Sequence, residues 1–291
     1  MNTVIIGEGA FGKALFSVIS QNTDNVTFWK EGMDLFATDI LVMAIPTVGI
    51  REILSKLRLP KPLIILNGAK GIEQETHQLP FQIVEDVFSD THAYVSLMGP
   101  SFAKEIEKQM PTLVNIGYDD KGVAEKVKKV FETEYFRVRL TKGYEAIELA
   151  GAMKNLYAIG CGLSSGLGFK MNTQAKLITL AIDEIYLLCE KMRFSFDTNA
   201  RPSMIGDVVL SCSSTESRNF TFGKYLATVS LYDAQKKIGK TIEGFHTSFS
   251  IDSLQKEAKT SLPFASCIVD ILRDQNPTSI RSRFMEFVKE I

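Results

Sequence analysis

The chain has 291 residues, 45% of them hydrophobic and 23% charged, with a net charge of −1 from 33 basic and 34 acidic side chains. That length suits two domains with ordinary cores, and the even charge argues against nucleic acid or an anionic membrane as a partner, so any anion site must be local. Four scattered cysteines without zinc spacing, no run long enough to insert in a membrane, and no signal-peptide pattern in MNTVIIGEGAFG point to a cytoplasmic protein without a metal.

Thr3 to Ile6 reads as a β-strand, and Gly7-Glu8-Gly9-Ala10-Phe11-Gly12 follows it, with a helical pattern from Lys13 to Ser20. Strand, GxGxxG and helix form the phosphate-binding start of a dinucleotide fold. Gly7 allows the tight turn, Gly9 lets backbone approach a pyrophosphate, and Gly12 lets helix and strand pack closely. A second strand is expected over Asn25 to Trp29, followed by Lys30 and Glu31. Lys30 suits the 2′-phosphate of NADP, and Glu31 suits the free hydroxyl of NAD. The link from Gly32 to Asp39 is too short for a full crossover helix. Further strands are expected at Ile40 to Ile45, Leu63 to Leu66, Ala93 to Leu97, Thr112 to Ile116 and Phe136 to Leu140. Between them, helices are expected near Val48 to Leu57, Leu79 to Phe88 and Lys121 to Phe131. Lys70 lies just past the fourth strand, where ligands sit in open α/β sheets. Gly99 and Ser101 follow the fifth strand and offer a backbone N–H and a hydroxyl, although Ser101 equally suits a helix N-cap.

The strand–helix alternation stops near Leu140, which sets the expected domains at 1–140 and 141–291. From Ala146 to Ile159 nearly every residue is apolar or small, the pattern of a helix buried on all sides. Lys154 and Asn155 sit within it. A lysine there either reaches solvent along its stem or needs a partner, water or a substrate anion. Gly162 to Gly168 reads as the turn that ends this helix. Asn172 to Met192 is the next helix, with Asn172 as its expected N-cap. Asp207 and Ser211 are spaced to share a helix face. Ser217-Arg218-Asn219 is a polar cluster in an apolar context; its arginine fork suits a phosphate, or else an ordinary surface ion pair.

Taken together and in order, GEGAFG (7–12), AKGIE (69–73), GPSFAKE (99–105), ELAGAMKNLYAIGCGLSSGLGF (148–169), GDVVLSCSSTESRN (206–219) and IEG (242–244) resemble the bacterial NAD(P)-dependent glycerol-3-phosphate dehydrogenase family. The resemblance implies an α/β Rossmann N-terminal domain followed by an all-α C-terminal domain like that of 6-phosphogluconate dehydrogenase, with an active site between them. It implies reversible reduction of dihydroxyacetone phosphate to sn-glycerol 3-phosphate by NAD(P)H, for phospholipid synthesis, and a homodimer. By position, Lys154 matches the catalytic lysine. Lys70, Asn155, Asp207 and Ser211 match polar residues around the substrate, and Gly99 and Ser101 match a substrate-contacting turn. Ser217, Arg218 and Asn219 match the site of the substrate phosphate, with Arg218 also near the cofactor. Ala10, Phe11, Lys70, Ala103 and Glu243 match cofactor contacts. The chain departs from the family in its shorter Lys30–Asp39 segment, in lacking an arginine or histidine after the second strand, and in lacking extra basic residues after Asn219. Two other readings fit parts of the pattern: a related dehydrogenase of another hydroxy acid, and a non-catalytic NAD(P)-binding sensor.

Overall fold

The computed structural model describes residues 1–60, 62–88, 92–274 and 276–291, which form two compact units. The first comprises Met1–Lys70, Gln78–Glu148 and Ser195–Ser203; the second comprises Gly71–His77, Leu149–Phe194 and Met204–Ile291.

The first unit is built on seven strands: β1 (Thr3–Ile6), β2 (Val26–Phe28), β3 (Ile40–Met43), β4 (Ile64–Asn67), β5 (Ala93–Met98), β6 (Thr112–Tyr118) and β7 (Phe136–Lys142). They lie side by side in the order β2-β1-β3-β4-β5-β6-β7. All neighbours are parallel except β5 and β6, which run antiparallel. Strands β1, β3 and β4 are buried along their whole length, as continuous apolar runs such as ILVM at 40–43 require. Alternate residues feed two cores: Ile5, Val42 and Leu66 lie on one face, and Val4, Ile6, Leu41 and Ile65 on the other. The helices are α1 (Ala10–Ile19), α2 (Ile50–Leu54), α3 (Pro80–Val87), α4 (Ala103–Glu107) and α5 (Lys121–Phe131). Helix α5 keeps its expected bounds because Asp120 caps it, accepting from the N–H groups of Gly122 and Val123. Helix α1 begins three residues before the expected Lys13, inside the glycine motif. The expected helix at Val48 to Leu57 shrinks to a 3₁₀ turn and the five residues of α2. No helix joins β2 to β3, which leaves the short β2 at the sheet edge.

The second unit is helical. It contains most of α6 (Glu145–Gly166), together with α7 (Met171–Met192), α8 (Asp207–Ser213), α9 (Arg218–Leu226), α10 (Leu231–Ile238), α11 (Glu243–Thr247), α12 (Ile251–Ala258), α13 (Pro263–Arg273) and α14 (Pro277–Glu290). Two expectations are corrected. Gly162 is not part of a terminating turn: α6 runs on through Gly166, and its glycines are packing sites. A Cβ on Gly162 would stand 1.9 Å from Phe220 O, and one on Gly223 would stand 1.9 Å from Ile159 O, so α6 and α9 cross backbone to backbone. The N-cap of α7 is Lys170, and Asn172 falls within its first turn. Among the described residues no helix is long and apolar enough to cross a membrane.

Candidate functional site

In the first unit, Gly7 and Gly12 behave as the motif demands. Gly7 has φ +111°, and a Cβ on Gly12 would stand 1.9 Å from Gly7 O. Gly9 faces open space, with no atom within 4 Å of where its Cβ would be. It precedes α1, whose first turn has neither a side-chain cap nor an acidic residue. The backbone N–H groups at Ala10 and Phe11 are therefore presented with the positive end of the helix dipole, an arrangement that fits a pyrophosphate. Gly7 lies against Ala44, just past β3, where the strand order reverses. Helix α4, which starts at Ala103, packs on α1. Lys30 and Glu31 are both exposed in the turn after β2.

Lys70 follows β4. The loop that carries it passes Phe11, whose ring would touch a Cβ on Gly68 at 3.0 Å. Lys70 Nζ donates to Gly99 O at 2.9 Å and to Ser101 Oγ at 3.4 Å, so three predicted residues meet at one ammonium. Ser101 is not a helix cap, since Phe102 holds that position in α4; its hydroxyl instead donates to Gly99 O. Beneath this turn lies a residue that motif reading missed. Glu148 is 1% exposed and accepts hydrogen bonds from Asn67 Nδ2 (2.8 Å), Ser96 Oγ (2.8 Å), Tyr94 Oη and Phe81 N (3.1 Å). Burial raises its carboxyl to about 7, against the lowering effect of those four bonds. The available signal was a lone carboxylate in the apolar stretch 146–159.

In the second unit, Lys154 does not reach for solvent: it is 6% exposed and pairs with Asp207. Its Nζ lies 2.8 Å from Asp207 Oδ1 and donates to Ser211 Oγ at 2.7 Å. The shared face expected of Asp207 and Ser211 is thus turned to the lysine. Asp207, 1% exposed, is the first residue of α8, directly after a π-helical segment over Pro202–Gly206. Such a bulge shifts helical phase and is frequent where side chains must be re-aimed. The next residue of α6, Asn155, accepts from Asn219 Nδ2 at 2.9 Å, and Asn219 Oδ1 accepts from Gly244 N at 3.0 Å. A Cβ on Gly244 would stand 2.2 Å from Asn155 O, so α11 starts against the backbone of α6.

Ser217 caps α9 by accepting from Phe220 N at 3.3 Å, and Arg218 stands exposed at the first position of that helix. Further along the same unit, α11 opens with Glu243, whose Oε2 is shut off from solvent and has no hydrogen-bond partner. Burial raises that carboxyl to about 7, while the Arg218 charge pulls it down. A buried carboxyl oxygen without a partner carries a desolvation cost that a hydrogen-bond donor on a ligand would remove. Among the described residues no group of three or more histidine, cysteine or acidic side chains is placed to hold a metal.

Two family models match the chain. The NAD-dependent glycerol-3-phosphate dehydrogenase N-terminus covers residues 33–124, and the corresponding C-terminus covers residues 144–280. A glycerol-3-phosphate dehydrogenase (NAD(P)+) of Syntrophomonas wolfei is 31% identical, with 99% of this chain and 96% of that protein covered. The enzyme of the same name from Staphylococcus haemolyticus is 29% identical over 94% of each chain. Among solved structures, glycerol-3-phosphate dehydrogenase from Coxiella burnetii superposes with a TM-score of 0.88 at 22% identity over 98% of both chains, which is a likeness of fold. A D-mandelate dehydrogenase solved with NADH scores 0.61 at 14% identity, over 98% of this chain and 99% of that one, a more distant likeness of the same kind.

Proposed function

The chain belongs to the NAD-dependent glycerol-3-phosphate dehydrogenase family, and from that premise we propose that it interconverts dihydroxyacetone phosphate and sn-glycerol 3-phosphate with Lys154 as the proton donor and acceptor. The observation that carries the residue assignment is the buried Lys154 ammonium, held by Asp207 and Ser211 beside the Asn155–Asn219 link.

A bound NAD(P)H supplies the hydride to the ketone carbon, or NAD(P)+ takes it in reverse. Gly7, Gly9, Ala10, Phe11 and Gly12 would hold its pyrophosphate, with Ala103, Lys70, Arg218 and Glu243 as further contacts and Lys30 for the ribose. As the ketone is reduced, negative charge grows on its oxygen. Lys154 Nζ stabilises that charge and gives the proton, a contribution of about 10²–10⁴-fold in rate. Asp207 pairs with the ammonium and aims it, and Ser211 fixes a second of its hydrogens. In the reverse direction the amine takes the alcohol proton, and Asp207 stabilises the ammonium that forms. Lys70, with Gly99 and Ser101, supplies a second cation and a polar turn for the substrate. Arg218 takes the substrate phosphate as a planar fork at the start of α9, where the helix dipole also favours an anion. Asn219 spends its amide on Asn155 and Gly244, so it aligns the arginine's helix with Lys154's helix. Ser217 caps that helix. The domains act as a cofactor half, drawn mainly from 1–140, and a helical substrate half, drawn mainly from 141–291, with Gly71–His77 belonging to the helical unit and Ser195–Ser203 to the sheet unit. A cytoplasmic homodimer completes the reading.

The test is oxidation of NADPH and of NADH with dihydroxyacetone phosphate, against a panel of other ketones. Turnover with dihydroxyacetone phosphate far above the panel is the expected result. Preference for another keto acid, or cofactor binding with no turnover of any ketone, would sink it.

A further inference from the structure

We propose that Glu148 is a positioning residue for Lys70, acting through Asn67 to hold the loop that presents the lysine. The inference rests on the reading above in which Lys70 touches the substrate. All the groups involved lie in the first unit.

The chain of contacts is short and wholly polar. Glu148 Oε1 gathers Asn67 Nδ2, Ser96 Oγ and Tyr94 Oη, while Oε2 takes the N–H of Phe81 in the first turn of α3. Asn67 ends β4 and is fully buried. Its Oδ1 accepts from Ala69 N at 2.8 Å, and its Nδ2 also donates to Ala69 O at 3.2 Å. The Asn67 side chain therefore clasps both backbone groups of the residue before Lys70. The end torsion of an asparagine side chain is broad, so its amide holds one orientation only where a partner fixes which end donates. The carboxylate, which in its ionised form only accepts, does that against Nδ2 and so leaves Oδ1 to accept from Ala69 N.

The second strand on the same carboxylate leads to the other side of the turn. Ser96 is the register partner of Asn67 across β4 and β5. Three residues after Ser96 comes Gly99, whose carbonyl receives the Lys70 ammonium. One buried oxygen thus pins both strands whose following loops meet at Lys70 Nζ. A side chain placed only for packing has no need of four donors converging from three separate segments.

The test is a double-mutant cycle on kcat/KM with dihydroxyacetone phosphate, using Glu148→Gln and Lys70→Ala singly and together. Glutamine keeps the size but must set an NH₂ against either the Phe81 N–H or the Asn67 NH₂, neither of which can accept from it. Glu148→Gln is expected to lower kcat/KM on the order of 10²-fold, the usual cost of misplacing a functional group by about 1 Å. In the Lys70→Ala background it should cost far less, at most the share carried by the Gly99–Ser101 turn, because the cation it positions is gone. Its loss should divide between kcat and KM as that of Lys70→Ala does. A weakened scaffold would instead reduce the active fraction, lowering kcat alone by the same factor in both backgrounds, and that result overturns the proposal. Asn67→Ala leaves Glu148 its other donors and must give the same non-additivity; it serves where Glu148→Gln does not fold, as judged by thermal melts. If Lys70→Ala alone leaves kcat/KM unchanged, the substrate role of Lys70 fails and this role falls with it. If Lys70→Ala is costly and the cycle is additive, only the positioning role fails.

Discussion

At the scale of single residues, the pairing of Lys154 with Asp207 decides how the catalytic assignment must be tested. Both groups are buried, and removing one member of a buried pair leaves the other charge uncompensated, at a cost of about 3–5 kcal/mol. Lys154→Met is therefore expected to lower thermal stability as well as activity, so lost turnover in that variant would be ambiguous. Lys154→Arg separates the two effects. It keeps a positive charge for Asp207, but a guanidinium is too weak an acid to deliver a proton. We expect Lys154→Arg to melt closer to the parent than Lys154→Met does, with kcat lower by about 10²–10⁴-fold; near-parental turnover would refute the proton-donor role. Glu243 carries a different kind of prediction. Its carboxyl titrates at about 7 in the fold against an ordinary 4.5, so between those values the folded chain binds more protons than the unfolded one. Stability of the cofactor-free protein must then fall as pH rises through that window. Glu243→Gln has no such titration. It should gain on the parent from about pH 4.5 to 7, hold the gain above, and lose it in acid. The gain is on the order of 2 kcal/mol, given about 1.4 kcal/mol per unit and a residue that is only partly buried. Glu148 titrates in the same window in both proteins and cancels from the comparison. A constant difference in urea midpoint across pH 4–8 would contradict this account.

At the scale of elements, the sequence was most informative where one local rule acts alone. Strands buried on both faces wrote themselves as apolar runs, and Asp120 marked the start of α5. The glycine motif gave the turn after β1 because Gly7 takes a positive φ and a Cβ on Gly12 would meet the Gly7 carbonyl. Partners far along the chain were not legible. The donors to Glu148 lie 52 to 81 residues away, and nothing near position 148 announces them. The antiparallel β6 was hidden as well, because strand direction depends on how the chain returns and not on strand composition. The glycines of α6 were misread for a similar reason: glycine near a helix end usually signals a stop, and here it signals a neighbour. That neighbour makes the reading testable. A methyl group on Gly223 meets the Ile159 carbonyl of α6, five residues beyond Lys154. Gly223→Ala should force α6 and α9 apart and cost about 1–3 kcal/mol or more. The melting temperature should fall by about 2–4 °C for each kcal/mol, with kcat reduced through displacement of Lys154. An unchanged melt would show that the crossing is looser than described.

At the scale of the whole molecule, the chain does not divide at a single point. It enters the second unit at Gly71, returns at Gln78, leaves again at Leu149, and comes back once more for Ser195–Ser203. That last visit completes the first unit. Asn115 on β6 is fully buried, and its side chain is satisfied almost entirely from the returning segment. Nδ2 donates to Asn199 O at 2.8 Å, while Oδ1 accepts from Ser203 N at 3.0 Å and from Ser203 Oγ at 2.7 Å. Thr141 on β7 likewise donates to Asp197 at 2.9 Å. A fragment cut after Glu148 keeps all seven strands and the glycine motif, yet strips these partners from a buried amide. Each buried polar group left without a partner costs about 1–3 kcal/mol, against a total stability of about 5–15 kcal/mol for a typical domain. The fragment 1–148 is therefore expected to bind NADPH weakly and to unfold at a lower urea concentration than the same fragment with residues 195–203 attached through a Gly/Ser linker. Substituting Asn199 and Ser203 by glycine in that segment should remove only part of the gain, because the Asn199 carbonyl and the Ser203 N–H remain. If the attached segment leaves the urea midpoint and NADPH affinity of the fragment unmoved, then its contacts to Asn115 and Thr141 are incidental to the stability of the cofactor half.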